Sequence, residues 1–126
     1  MIGVVLMSHG EMAEGTLNTL KMFFGQEIEQ IKTVTLKETD DPEMLDERIA
    51  QAIKEVDDGH GVVGFCDLAG GTPSNRCIRQ LSNRFYVIAG MNLAIIMEFL
   101  AIGTFIQVDK NIYLEHAVST TSKSFM

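Results

Sequence analysis

The chain has no tryptophan, only two prolines and two cysteines among its 126 residues, and no cluster of lysine and arginine. Each shortage excludes something. Cys66 and Cys77 have no second pair around them, so neither a disulfide framework nor a zinc spacing is available, and reduced thiols are expected. Ten basic residues against seventeen acidic ones leave a formal charge of −7, a field that repels phosphate backbones and anionic lipid surfaces and argues against nucleic-acid and membrane-surface partners. The longest apolar run, 93–102, is interrupted by Glu98 and falls short of the ~20 residues that span a bilayer. The first apolar run, 2–7, is too short for a signal-peptide core and has no basic residue before it, so a cytoplasmic protein is expected. At this length, with 46% hydrophobic and 21% charged residues, a single domain over 1–126 is expected, without repeats or linkers.

Strand and helix patterns alternate along the chain. Ile2 to Met7 (IGVVLM) is apolar at every position, as a strand covered on both faces should be. Ala13, Leu17, Leu20 and Phe24 then recur at helical spacing, and Gly25 stands where a helix would end. Ile31 to Leu36 (IKTVTL) is more polar and suits an edge strand. Both prolines mark helix starts. Asp41 is an expected N-cap with Pro42 behind it, opening a helix striped by Leu45, Ile49, Ala52, Ile53 and Val56; Thr72 is an expected N-cap with Pro73 behind it, opening one that holds Cys77, Ile78 and Leu81. Between them "DDGHG" breaks the chain and Val62 to Cys66 (VVGFC) forms a third strand. Phe85 to Ala89 makes a fourth, and Asn92 caps a helix from Leu93 to about Ala101. Beyond Gly103 the pattern suggests a short strand over Phe105 to Val108 and a last helix over Ile112 to Ser119.

This alternation predicts an α/β, doubly wound, mostly parallel sheet of strand order 2-1-3-4 with helices on both faces, and room for a C-terminal antiparallel edge strand. Ligands of such sheets bind outside the carboxyl ends of the first and third strands, where the connections diverge. His9 stands just beyond the first strand and Asp67 at the end of the third, so the topology brings them together. A carboxylate that accepts the Nδ1 proton fixes the imidazole tautomer and leaves Nε2 as a nucleophile. The loop "LAGGTPSN" adds Gly70, Gly71, Thr72, Ser74 and Asn75, whose backbone and hydroxyl donors at a helix start suit an anion; Ser8 and Gly10 of "SHG" act similarly at the first helix.

Singly, these features have plainer readings, since a histidine at a strand end is often structural and "GGTP" is often just a tight connection. Their convergence favours a site. No G-x-x-x-x-G-K-[ST] and no G-x-G-x-x-G is present, so nucleotide cradles are not indicated, and no lysine or arginine lies in either loop to clamp a free phosphometabolite. Arg76 is the nearest basic residue, inside the third helix. The pattern suits a transient phosphoryl group held covalently, with no cofactor. A metal site built from His9, Glu11 and Asp67 would need Glu11 to point inward, and no metal is expected. A hydrolase using Ser8 or Cys66 with His9 is weak, because Ser8 is an immediate neighbour of the ring and Cys66 should face the opposite side of the sheet. His60 and His116 have no matching partners in the sequence and are expected to be solvated bystanders.

"VVLMSHGEMAEG" followed by "GVVGFCDLAGGTPSN" resembles the IIA domain of the mannose family of the bacterial phosphoenolpyruvate-dependent sugar phosphotransferase system, over about residues 1–100. The resemblance implies a phosphoryl shuttle and a transferase working through phosphohistidine. The residue matching His9 takes a phosphoryl group from HPr on Nε2 and passes it to a IIB subunit, which phosphorylates the sugar as membrane IIC and IID subunits import it. The aspartate matching Asp67 bonds the other ring nitrogen, and the residue matching Thr72 contacts the phosphoryl group. It implies a homodimer with an exchanged C-terminal segment, and a IIB partner on a separate chain. Ala69 departs from the bulky aromatic often found there in relatives, which opens the site's rim, and "KNIYLEHAVSTTSKSFM" is weakly patterned for such an exchange. Two other readings keep the fold: a phosphotransfer subunit serving dihydroxyacetone kinase, and a regulatory module without transfer.

Overall fold

The computed structural model describes residues 2–68 and 71–105. Its elements run β1 (Gly3–His9), α1 (Met12–Phe24), β2 (Ile31–Leu36), α2 (Pro42–Val56), β3 (Val62–Cys66), α3 (Thr72–Ile78), β4 (Phe85–Ala89) and α4 (Leu93–Phe105). The strands form one sheet in the order β2-β1-β3-β4, each adjacent pair parallel, as the alternation predicts. Among the described residues no helix is long and apolar enough to cross a membrane.

The unbroken hydrophobicity of β1 and β3 has a structural cause: successive side chains enter two different cores. Val4 and Leu6 of β1 and Val63 and Phe65 of β3 face α1 and α4, meeting Ala13, Leu20, Ile95, Ile96, Phe99 and Leu100. Val5, Met7, Val62 and Cys66 point the other way, against Leu45, Ile49, Ala52 and Val56 of α2 and Cys77 of α3. Each fully buried large side chain contributes roughly 1.5–3 kcal/mol, so both faces anchor the two central strands. The edge strand β2 is buried at Ile31, Val34 and Thr35, half-buried at Thr33 and Leu36, and exposed at Lys32.

Helix boundaries follow local chemistry. Asp41 caps α2 by accepting the Glu43 N–H at 3.0 Å, with Pro42 in the first turn. Asn92 Oδ1 accepts the Ile95 N–H at 2.9 Å at the start of α4. Gly25, at φ 100°, ends α1.

Four expectations are corrected. β1 runs on through His9, because its pairing with β2 continues to His9↔Leu36 and the Gly10 N–H then reaches the Leu36 carbonyl at 2.9 Å. Gly71, not Thr72, is the N-cap of α3, without a side-chain cap, so Thr72 is the first helical residue. The same helix stops at Ile78. The N–H groups of Arg79, Gln80 and Leu81 reach back only three residues, tightening the chain into 3₁₀-type turns that leave Ile78 and Leu81 exposed. Finally, α4 does not stop near Ala101 but passes Gly103 to Phe105, where a strand was expected. One glycine costs a helix about 1 kcal/mol, less than the packing of Phe99 and Leu100 supplies. The rest of the expected strand, the helix over 112–119, the edge strand and His116 lie outside the described residues.

Candidate functional site

Parallel pairing of Met7 with Cys66 sets the ends of β1 and β3 level, and the Asp67 N–H bonds the Met7 carbonyl at 3.2 Å. Asp67 thereby lies beside His9. Its Oδ2 accepts the His9 backbone N–H at 3.0 Å and faces His9 Nδ1 at 2.9 Å, while Oδ1 accepts the Leu68 N–H at 2.9 Å. Burial alone would raise this carboxyl's pKa. The His9 backbone and ring hydrogen bonds, the ring's charge and the Leu68 N–H together outweigh it and hold Asp67 below the ordinary carboxylate range. An ionised Asp67 can only accept, so Nδ1 carries the ring proton and Nε2 the free lone pair. The Asp67 side chain is 9% exposed and the His9 side chain 46%, so the carboxylate is sheltered while the ring meets solvent.

Gly71 makes room for that ring. A Cβ there would stand 2.9 Å from His9 Cε1 and 3.7 Å from Nε2, closer than the ring edge could tolerate without moving. Thr72 follows at the first position of α3 and lines the cleft before His9, and Ser74 lies within the first turn. Gly70 and Ala69 are outside the described residues.

The "SHG" turn serves a different purpose from the one its sequence suggests. Ser8 is buried, accepts the Ala13 N–H on Oγ at 2.8 Å, and so fastens the first turn of α1 from inside. Gly10 adopts φ 56°, a left-handed turn that suits glycine, and its N–H is spent on Leu36. Neither group faces the cleft with a free donor, and Ser8 is unavailable as a nucleophile. Cys66 is buried in the core on the α2 side; contact with it, followed by burial, pushes the Cys77 thiol up, as suits inert core sulfur. Glu11 holds the exposed N-cap position of α1. Among the described residues no three His, Cys, Asp or Glu side chains gather as a metal site would require.

Two expectations about charge change. His60 has a partner after all, with Nδ1 2.7 Å from Asp58 Oδ1 in its own turn. The cleft before His9, about 590 Å³, is also lined by Gly10, Leu36, Lys37, Glu38, Asp40, Pro42 and Thr72. Thus the turn after β2 is a third wall of the site, and it brings a lysine. The 2-1-3-4 order contained that signal, since the end of β2 must adjoin the end of β1. Arg76 instead pairs with Asp46 at 3.2 Å.

The arrangement offers one oriented, solvent-facing imidazole nitrogen beside a helix start, in an open cleft. Comparison with known proteins agrees with that chemistry. The family described as EIIA-man, PTS system fructose IIA component, matches residues 3–112. The PTS system fructose-specific EIIA component of Bacillus subtilis is 31% identical over 104 residues, covering 81% of this chain and 70% of that protein. The PTS system mannose-specific EIIAB component of Escherichia coli is 30% identical over 101 residues, 79% of this chain but only 31% of that protein's length. The mannose/sorbose specific IIA subunit of phosphotransferase system from Enterococcus faecalis superposes with a TM-score of 0.81 at 25% identity, covering 98% of this chain and 91% of that one. The phosphotransferase system component EIIA from Streptococcus agalactiae reaches 0.85 over 98% and 95% of the two chains, at 19% identity, and speaks for the fold alone. The chain belongs to the mannose-type IIA family of the sugar phosphotransferase system, a family of phosphotransfer components in sugar uptake.

Proposed function

We propose that His9 is the phosphoryl carrier of this chain, accepting from phospho-HPr through Nε2 and delivering to a IIB subunit. The observation that carries the reading is the His9 Nδ1–Asp67 Oδ2 contact of 2.9 Å, with three donors converging on the Asp67 carboxylate. It leaves Nε2 as the only ring nitrogen with a free lone pair.

In the first transfer the Nε2 lone pair attacks the donor's phosphorus. The donor's P–N bond breaks, and its electron pair returns to the donor imidazole. In the second, a nucleophile of the IIB subunit attacks the same phosphorus, the P–Nε2 bond breaks, and the pair returns to the His9 ring. Nδ1 keeps its proton throughout, and Asp67 offsets the positive charge that the ring gains while phosphorylated. Gly71 gives the ring space, and the turn of Gly70, Gly71, Thr72 and Ser74 supplies donors to the phosphoryl oxygens. The reading includes a cytoplasmic homodimer acting beside membrane IIC and IID subunits.

Incubation with phosphoenolpyruvate, enzyme I and HPr should add one acid-labile phosphoryl group, and an added IIB subunit should remove it. His9→Ala should take up none. Label that persists in His9→Ala would contradict the assignment.

A further inference from the structure

A phosphoryl group on His9 would bring about two negative charges into a cleft that already has the Asp67 carboxylate behind it. The loops that open α1 and α3 contain no lysine or arginine to offset them. The turn after β2 does. Pairing of His9 with Leu36, and the Gly10 N–H bond to the Leu36 carbonyl, seat the end of β2 directly against the histidine, and Lys37 is the next residue.

This turn is fastened at several points. Asp40 Oδ2 accepts the Lys37 N–H at 2.9 Å and pairs with Arg48 Nη2 of α2 at 3.0 Å; Arg48 Nη1 donates to the Thr35 carbonyl of β2 at 2.9 Å, and the Asp40 N–H to the Lys37 carbonyl at 3.0 Å. The clasp has an electrostatic consequence. Arg48 engages the Asp40 carboxylate of the turn, and among the described residues the Lys37 ammonium makes no ion pair or hydrogen bond of its own. The Lys37 N–H, then Arg48, hold Asp40 below the ordinary carboxylate range, so it stays ionised and paired. Besides His9, the ionisable groups that line the cleft are Glu38, Asp40 and Lys37, with Asp67 bonded to the histidine ring, and Lys37 is the only lysine or arginine among the described residues that line it.

We infer that Lys37 contacts the phosphoryl group carried by His9, an unpaired ammonium delivered to the cleft by the Asp40–Arg48 clasp. The inference rests on the phosphohistidine reading above. A lysine on a flexible stem also fits a group that arrives on one partner and leaves on another, because it can follow the phosphoryl oxygens through both transfers.

The test uses phosphoramidate, a small phosphoryl donor that needs no protein partner, and follows the phosphorus signal by ³¹P NMR between pH 5.5 and 9. A nearby cation favours the dianion, so wild-type phospho-His9 should titrate lowest. Lys37→Met should raise the phosphoryl pKa by about half a unit, Lys37→Glu should raise it further, and Lys37→Arg should leave it near wild type. Raising the salt to 0.5 M should shrink these differences. Identical titration in wild type, Lys37→Met and Lys37→Glu would overturn the role of Lys37 while leaving phospho-His9 intact. Failure of wild-type His9 to take up label at all would overturn the phosphohistidine reading and the inference with it.

Discussion

Two histidine–aspartate pairs occupy opposite ends of β3. At its carboxyl end His9 and Asp67 meet at 2.9 Å; before its amino end His60 and Asp58 meet at 2.7 Å. By distance the second is the closer pair, yet the two differ in origin and surroundings. His9 and Asp67 are 58 residues apart and are joined by the sheet, whereas His60 and Asp58 are two apart and joined by their own turn. Asp67 is 9% exposed with both oxygens committed to fixed donors, while Asp58 is 39% exposed on a ring that is itself 66% exposed. Asp58 also accepts its histidine's backbone N–H, at 3.2 Å, so what sets the first pair apart is a sheltered carboxylate and a ring positioned by the sheet.

Exchanging the carboxylates should separate the pairs most sharply. Asp67→Asn should slow phosphoryl uptake on His9 by about 10²–10³-fold, because an amide no longer fixes the tautomer or offsets ring charge. Asp58→Asn should change it less than about twofold. Stopped transfer assays with phospho-HPr would measure both, and comparable losses would erase the distinction.

Glycine substitutions separate the pairs next. Gly71→Ala, at an ordinary φ of −79° but 2.9 Å from His9 Cε1, should leave stability nearly unchanged and slow transfer by about tenfold through ring displacement. Gly59→Ala, at φ 109° in the turn of the second pair and with open space around it, should do the reverse, lowering stability by about 1 kcal/mol with transfer retained. Urea unfolding beside the transfer assay would show both.

Acid should sharpen the contrast further. The folded pKa of Asp67 lies below its unfolded value of roughly 3.9, so its contribution is present above that value and is lost as pH falls through the folded one. The stability difference between wild type and Asp67→Asn should therefore shrink as unfolding is measured from pH 7 down to about 3. His60, then Gln30, hold Asp58 well below the ordinary range as well, but a pair two residues apart persists partly in the unfolded chain and couples weakly to folding. Its variant should show little such dependence. Smallest of all, Arg84→Ala removes the 2.7 and 2.9 Å bonds to Asp57 that brace the second turn. With Arg84 half-exposed, its loss should cost about 0.5 kcal/mol without affecting transfer.

The same contrast explains what could be read in the sequence. His9 and Asp67 were legible because topology, not local geometry, joins them, and the alternation of strands and helices sufficed to infer the topology. Asp41 with Pro42, and Asn92, were legible because a cap is a local device. The partner of His60 was missed for the opposite reason. A turn of "DDGHG" permits many rotamers, and nothing in the pattern selects the one that turns Asp58 onto the ring. Thr72 is the first helical residue and not the N-cap its side chain suggests, because Gly71 can start a helix without a side-chain cap. The sequence beside His9 points Ser8 toward an anion, whereas strand alternation carries it inward to α1. Lys37 is set beside His9 by the strand order, through the neighbouring edge strand and not through the two loops at the switch point.

The central claim is that Asp67 holds Nδ1 and leaves Nε2 to carry the phosphoryl group. Long-range ¹H–¹⁵N correlation of ¹⁵N-histidine protein, recorded after labelling with phospho-HPr, tests it most directly. The predicted result is phosphorus coupled to His9 Nε2 with Nδ1 protonated. Phosphorus on Nδ1, or on another residue, would contradict it.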